Sequence, residues 1–200
     1  MSEARFRAFL GLPLPTTLRT HLAELQDRFR RTGLRASWVA PENFHITLQF
    51  LGNITHENLG TLDQALTEPL GKVSALQLGL DRVEAYPSSE RVNGVWVGTR
   101  TLRGDMGAVV PLIRSAAREI GLKSEERAFH SHVTLFRLRR GRASHKGLHD
   151  ALASANPPVS DDFWVDAVAL WRSELRRGGA VYHCLKEYPL KCLPPTSSPL

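Results

Sequence analysis

Two copies of one short pattern, His-x-Thr-Leu, constrain this chain more than anything else in it. The first is His45-Ile46-Thr47-Leu48 and the second is His132-Val133-Thr134-Leu135. Histidines and threonines share one spacing: 132 − 45 and 134 − 47 both equal 87. Each copy lies in a strand-like apolar run. Around the first, Phe44, Ile46, Leu48 and Phe50 alternate with His45, Thr47 and Gln49, the period of a strand with one apolar face. Residues two apart on a strand share a face, so His45 points with Thr47 and His132 with Thr134. Two such strands, one in each half of a short chain, read as a duplicated unit whose histidines face each other across a cleft.

The rest of the chain supplies elements to hold them. Residues 5–12 alternate as a first strand, closed by Pro13 and Pro15. Thr16 or Thr17 then caps a helix to residue 31, with Leu18, Leu22, Leu25 and Phe29 on one face. Trp38-Val39 leads into a turn at Pro41-Glu42-Asn43, Gly52-Asn53 ends the first motif strand, and Thr55 caps a second helix to residue 70. Residues 75–85 and 92–97 form a hairpin. A third helix over 101–120 is expected to kink or split at Pro111 and to stop at Gly121. The second motif strand spans 131–138. A basic turn follows at Arg139-Arg140-Gly141-Arg142, then a short helix over 144–154. Strands at 163–171 and 180–188 make a last hairpin through Arg176-Arg177-Gly178-Gly179. Mixed strands and helices, with the late strands in hairpins, predict an α+β fold with largely antiparallel sheets.

Composition narrows the function classes. A 200-residue chain fits one compact domain or two tightly joined halves. Its net charge of +6 favours an anionic partner, such as nucleic acid or a phosphorylated ligand, as readily as a basic but inert surface. Cys184 and Cys192 form neither a zinc spacing nor a disulfide framework, which suits reduced thiols in the cytosol. The N-terminus lacks a signal region, and no apolar run approaches the roughly 20 residues of a membrane helix. A soluble, cytoplasmic protein is expected. Neither a Gly-x-Gly-x-x-Gly nor a phosphate-loop Gly-Lys-Ser/Thr occurs, which argues against a nucleotide-triphosphate engine. The absence of Gly-x-Ser-x-Gly argues against a serine hydrolase.

Two histidines suit acid–base chemistry near neutral pH. In phosphodiester transfer one imidazole takes a proton from the attacking oxygen and the other gives one to the leaving oxygen. Threonine hydroxyls can donate to the non-bridging oxygens, whose charge grows in the transition state. Thr47 and Thr134 are equally ordinary strand formers. His130 shares the face of His132 by alternation, so it is a phosphate contact, half of a metal pair, or plain surface. A metal site is disfavoured, because zinc wants three or four ligands and none stands at a recognisable spacing. His21, His56, His145, His149 and His183 have no partner visible in sequence. The basic turns at 139–142 and 176–177 suit an RNA backbone or simple solvation.

These residues resemble the 2H phosphoesterase superfamily and, within it, the bacterial and archaeal RNA 2′,3′-cyclic phosphodiesterases, historically called 2′-5′ RNA ligases. The likeness runs from residue 4 to 190. It covers Arg5–Phe9, the stretch Trp38–Gly52 around the first motif, Phe129–Arg137 around the second, and Leu170–Leu175 with Gly178–Tyr182 in the last hairpin. The resemblance implies a single bilobal domain over 1–190: two antiparallel sheets flanked by helices, related by a pseudo-two-fold axis, with the active site between the lobes. Residues 191–200 are then a disordered tail, and a monomer is expected. The implied reaction is hydrolysis of an RNA 2′,3′-cyclic phosphate to a 2′-phosphomonoester without a cofactor, or ligation with an RNA 5′-hydroxyl in place of water. His45 would be the proton donor and His132 the proton acceptor. Thr47 and Thr134 would bind phosphate oxygens. Arg137 would help to neutralise the phosphate, although strict alternation puts it on the face away from His132, so the role needs a bulge or a strand end. Tyr182 would stack on base or ribose, or serve the core. The family often has proline where Ser131 stands, which bears on loop rigidity. Two further readings are an RNA-end binding module with vestigial catalysis and a cyclic phosphodiesterase for small nucleotides.

Overall fold

The computed structural model describes residues 4–88, 92–122, 128–138, 147–155, 162–177 and 179–191. The elements run β1 (Phe6–Pro13), α1 (Thr16–Arg30), β2 (Ala36–Trp38), a 3-10 turn (Pro41–Asn43), β3 (His45–Ile54), α2 (His56–Gly71), β4 (Leu76–Pro87) and β5 (Val92–Arg103). They continue with α3 (Met106–Glu119), β6 (His132–Leu138), α4 (Leu148–Ser154), β7 (Phe163–Val165), β8 (Ala167–Arg176) and β9 (Gly179–Pro189).

All named strand pairs are antiparallel, in the order β7-β4-β5-β6-β3-β1-β8-β9, with the short β2 on β6 off this path. The two sheets expected from the sequence are the halves of one curled sheet. They meet at a single residue pair, Ile46 opposite Val133, both fully buried. On either side the halves mirror each other: β3 with β1 corresponds to β6 with β5, and β8 corresponds to β4. α1 lies against β6 and α4 against β4, whereas α2 and α3 pack on each other and on β9 and β3. This is the α+β, bilobal, pseudo-symmetric architecture anticipated above, with both lobes drawing on one continuous apolar core.

Several local expectations shift. α1 is capped by Pro15, and neither Thr16 nor Thr17 caps it; the Thr16 hydroxyl instead accepts from Arg19 at 2.9 Å. Its face of Leu18, Leu22, Leu25 and Phe29 is buried as expected. Gly52-Asn53 does not end the first motif strand, because β3 continues in register with β1 to Ile54. Gly52 takes a φ of 64°, which side chains resist, and so carries the strand past an irregularity between Ala8 and Phe9. α3 begins at Met106, since Thr101–Arg103 still pair with β4, and it runs unbroken through Pro111. The donor that Pro111 lacks would have served Gly107 in the first turn, so one hydrogen bond is lost near an end where donors already go unused. Thr55 caps α2 as read: its hydroxyl accepts from the Asn58 amide at 3.3 Å and the Asn58 side chain accepts from the Thr55 amide at 3.0 Å.

The single strand expected over 163–171 is two. β7 pairs with β4 and β8 with β1 and β9, so the chain passes from one lobe to the other at Asp166. Lys191 is still held, by hydrogen bonds to Val73 and Ala75. The rest of the anticipated tail, residues 192–200, lies outside the described residues. So do the basic turn 139–142, His145, the start of the fourth helix at 144–146, and Gly178 of the last hairpin. Among the described residues no helix is long and apolar enough to cross a membrane.

Candidate active site

Matched bulges in the two motif strands shape the cleft. On β3, Gln49 lies opposite Leu10 and Thr47 opposite Gly11, which leaves Leu48 as the extra residue. On β6, Phe136 lies opposite Val95 and Thr134 opposite Trp96, which leaves Leu135 as the extra residue. The spacing is again 135 − 48 = 87. One extra residue shifts the inward–outward alternation by one step. Before the bulges, His45, Thr47, His132 and Thr134 face the cleft while Ile46 and Val133 are buried. After them, Gln49 and Phe136 turn inward and Phe50 and Arg137 turn outward.

This corrects the first expectation for β3. Phe50 does not continue the apolar face of Phe44, Ile46 and Leu48; it stands half exposed in the cleft. The same device gives Arg137 the bulge that its expected role required. Arg137, Phe50, Thr47 and Thr134 form the shared floor of two adjoining cavities. One, of about 410 Å³, opens beside His45 and is completed by Arg7, Asn43 and Tyr182 among others. The other, of about 320 Å³, opens beside His132 and is completed by Trp96, Arg114 and His130 among others.

The two imidazoles are held alike. His45 Nδ1 is 2.7 Å from the carbonyl of Asn43, and His132 Nδ1 is 2.7 Å from the carbonyl of His130. A carbonyl only accepts, so each ring donates from Nδ1 and presents Nε2 to the cleft. His45 Nε2 lies 2.9 Å from the Thr47 hydroxyl. Asn43 is pinned in turn, because its side-chain amide donates to the Ala180 carbonyl of β9 at 2.6 Å.

Aromatic rings back each histidine. Phe9 lies 4.7 Å from the His45 ring centre and Trp96 lies 4.2 Å from that of His132. Trp171 stacks on Phe9, and Tyr86 stacks on Trp96. Gly11 and Gly94 leave room for these rings. A Cβ on Gly11 would come within 3.1 Å of Trp171, and one on Gly94 within 2.7 Å of Tyr86.

Both imidazoles titrate below the ordinary histidine value of 6.5. Burial is the larger cause in each, since it penalises the charged ring. The carbonyls of Asn43 and His130 act in the opposite direction. The positive charge of His132 further lowers His45, and those of Arg137 and His130 further lower His132. At neutral pH the cleft therefore holds two neutral imidazoles beside an arginine. An anionic phosphate between them would favour the charged ring and restore a proton to one.

Other expected residues separate. Tyr182 belongs to the cleft: its ring meets His45 edge-on at 5.4 Å and Phe9 at 4.8 Å, and burial pushes its phenol upward. His130 lines the second cavity with an exposed side chain, while its carbonyl holds His132. Arg176 is tied to Glu174 at 2.9 Å. His56 packs on Phe6, and His183 lies 3.6 Å from Glu174. Phe50, Arg7, Arg114 and Trp96 were missed. For Phe50 the available signal was its spacing, 137 − 50 = 87, from Arg137.

A curled α+β sheet thus brings two His-x-Thr strands and an arginine to one floor between two lobes. The family model described as LigT like Phosphoesterase matches residues 12–97. A protein of Aeropyrum pernix named RNA 2′,3′-cyclic phosphodiesterase is 28% identical over 166 residues, which is 83% of this chain and 93% of that protein. One of the same name from Escherichia coli K12 is 28% identical over 193 residues, 95% of this chain and 99% of the relative. The crystal structure of E. coli LigT in apo form superposes with a TM-score of 0.71 at 25% identity, covering 95% of this chain and 99% of the other. The chain thus resembles the LigT-like phosphoesterases over most of its length.

Proposed function

We propose that this enzyme opens 2′,3′-cyclic phosphates at RNA ends and leaves a 2′-phosphomonoester. The observation that carries the reading is the pair of Nε2 atoms presented to one cleft, with Thr47, Thr134 and Arg137 between them. The phosphate sits on this shared floor, where Arg137 offers its charge and the two hydroxyls donate to the non-bridging oxygens. His132 Nε2 takes the proton of a water that attacks phosphorus. The bond from phosphorus to the 3′ oxygen breaks, and His45 gives that oxygen a proton. Arg137 favours the neutral, proton-accepting form of His132, which suits it to the base role. The charge of the bound phosphate raises His45 toward the protonated form that an acid needs. No step calls on a metal ion.

The names of the relatives support an RNA end as substrate, and the net charge of +6 suits a polyanion. An RNA 5′-hydroxyl in place of water would give a 2′-5′ linkage by the same proton transfers. The test compares an oligonucleotide ending in a 2′,3′-cyclic phosphate with small cyclic nucleotides, with products read by phosphorus NMR. Fastest turnover of the oligonucleotide, with a 2′-phosphate product, is expected. A 3′-phosphate product, or preference for the small substrates, would contradict the proposal. Tight binding without turnover would favour a binding module instead.

A further inference from the structure

Gln26 is one of two buried polar or charged side chains among the described residues, and it lies far from both histidines in sequence. It sits on α1 at 1% exposure. Its amide nitrogen donates to two carbonyls, that of Val39 at 2.8 Å and that of Leu135 at 2.7 Å. Its amide oxygen accepts from Arg30, whose Nε lies at 3.3 Å and whose terminal nitrogen lies at 3.1 Å. The amide thus uses its full capacity of two donors and two acceptors. Arg30 fixes which way round it lies, because a guanidinium cannot accept. Arg30 is itself steadied over the Trp38 ring at 4.6 Å.

The partners of this amide are what set it apart from a satisfied core glutamine. Leu135 is the extra residue of the β6 bulge. Along that edge of β6, β3 pairs only with Val133, and β2 begins pairing at Phe136. The carbonyl of Leu135 falls in the gap, where it accepts from the Val39 amide at 3.0 Å and from Gln26. Val39 also lines the cavity beside His45. Two residues after Leu135 comes Arg137, which faces the cleft only because the bulge exists.

We infer that Gln26 is a positioning residue for the phosphate-binding floor: it clamps the bulge at Leu135 and so holds Arg137 in the cleft. This rests on the proposed function for the identity of the substrate, but not for the anion site itself. Without the amide, the Val39 and Leu135 carbonyls each lose a donor, the bulge at Leu135 is left with the Val39 amide alone, and β6 gains by realigning with β5. That realignment turns Arg137 away.

Inorganic phosphate titrated by NMR into the full chain reads the floor without assuming a reaction. Arg137→Ala is expected to weaken phosphate binding. Gln26→Met, close in size but unable to donate, is expected to weaken it ~5- to 50-fold, with the double variant no weaker than Arg137→Ala alone. Arg30→Met leaves the amide but frees its oxygen, and a smaller loss in the same direction is expected; it carries the test if Gln26→Met does not fold. Losses that multiply in the double variant would overturn the inference. So would wild-type phosphate affinity in a folded Gln26→Met, or in Arg30→Met when that variant carries the test. Phosphate binding that depends on Gln26 and Arg137, in a protein that leaves cyclic ends intact, would support the clamp and overturn the substrate.

Discussion

Phe50 and Arg137 occupy the same place in the two halves of the cleft, each the second residue after a bulge and each turned out beside a His-x-Thr pair. The duplication supplies two equivalent positions, and the sequence fills one with an apolar ring and the other with a cation. A symmetric scaffold therefore presents an asymmetric floor. That suits a ligand with a charged phosphate on one side and a sugar and base on the other.

The two positions are expected to fail differently on truncation. If Arg137 meets the phosphate as proposed, Arg137→Ala removes a charge-assisted contact and should lower kcat/KM by roughly 10- to 100-fold. Phe50→Ala removes an apolar surface that touches no reacting atom and should raise KM by about tenfold, with kcat nearly unchanged. Steady-state kinetics on a cyclic-ended oligonucleotide separates the two. A loss confined to kcat in Phe50→Ala would contradict the division.

The depressed imidazoles fix the sign of the pH response. A pair that shares one proton is most active between its two apparent pKa values, and the kcat/KM profile reports the free enzyme. Both groups titrate below 6.5, chiefly through burial, so the optimum of kcat/KM should fall below pH 6.5. The bound phosphate favours the charged ring, so the kcat profile should lie to the alkaline side of the kcat/KM profile. The same groups bear on stability. Each binds its proton more weakly folded than unfolded, so their contribution is present above pH 6.5 and is lost as pH falls through the depressed values. His45→Gln should therefore flatten the acid limb of a Tm-against-pH curve.

Close approach at Gly94 makes a prediction about packing. A Cβ there would sit 2.5 Å from the carbonyl oxygen of Phe136 and 2.7 Å from the Tyr86 ring. Gly94→Ala should cost about 2 kcal/mol, as overpacking does, and lower Tm by several degrees in thermal denaturation. It should also shift Trp96 fluorescence, because Tyr86 stacks on Trp96 at 4.8 Å.

Much of this molecule was legible in the residues. The repeated motif announced two strands and a shared cleft, because alternation on a strand is a local property that two residues display. The α1 face and the Thr55 cap were equally local. What the sequence concealed depends on pairing partners. The bulges at Leu48 and Leu135 arise from register against β1 and β5, and nothing in either motif marks an extra residue. Strict alternation consequently hid Phe50 in the core and set Arg137 on the wrong face. The passage between lobes at Asp166 was hidden for the same reason, since a run of alternating residues does not say which neighbours it will pair with. Gln26 looked like one more residue of an amphipathic helix, and only the carbonyls of Val39 and Leu135 opposite it give the amide a task.

If two imidazoles perform the proton transfers on a cyclic phosphate without a metal, a 2′,3′-cyclic-ended oligonucleotide turned over in the presence of EDTA by wild type, His45→Ala and His132→Ala will show it. Wild-type turnover is expected to be unaffected by EDTA, with a ~10²- to 10⁴-fold loss of kcat in each variant, the worth of a positioned acid or base. Turnover that survives both substitutions, or that EDTA abolishes in the wild type, would contradict the two-imidazole mechanism.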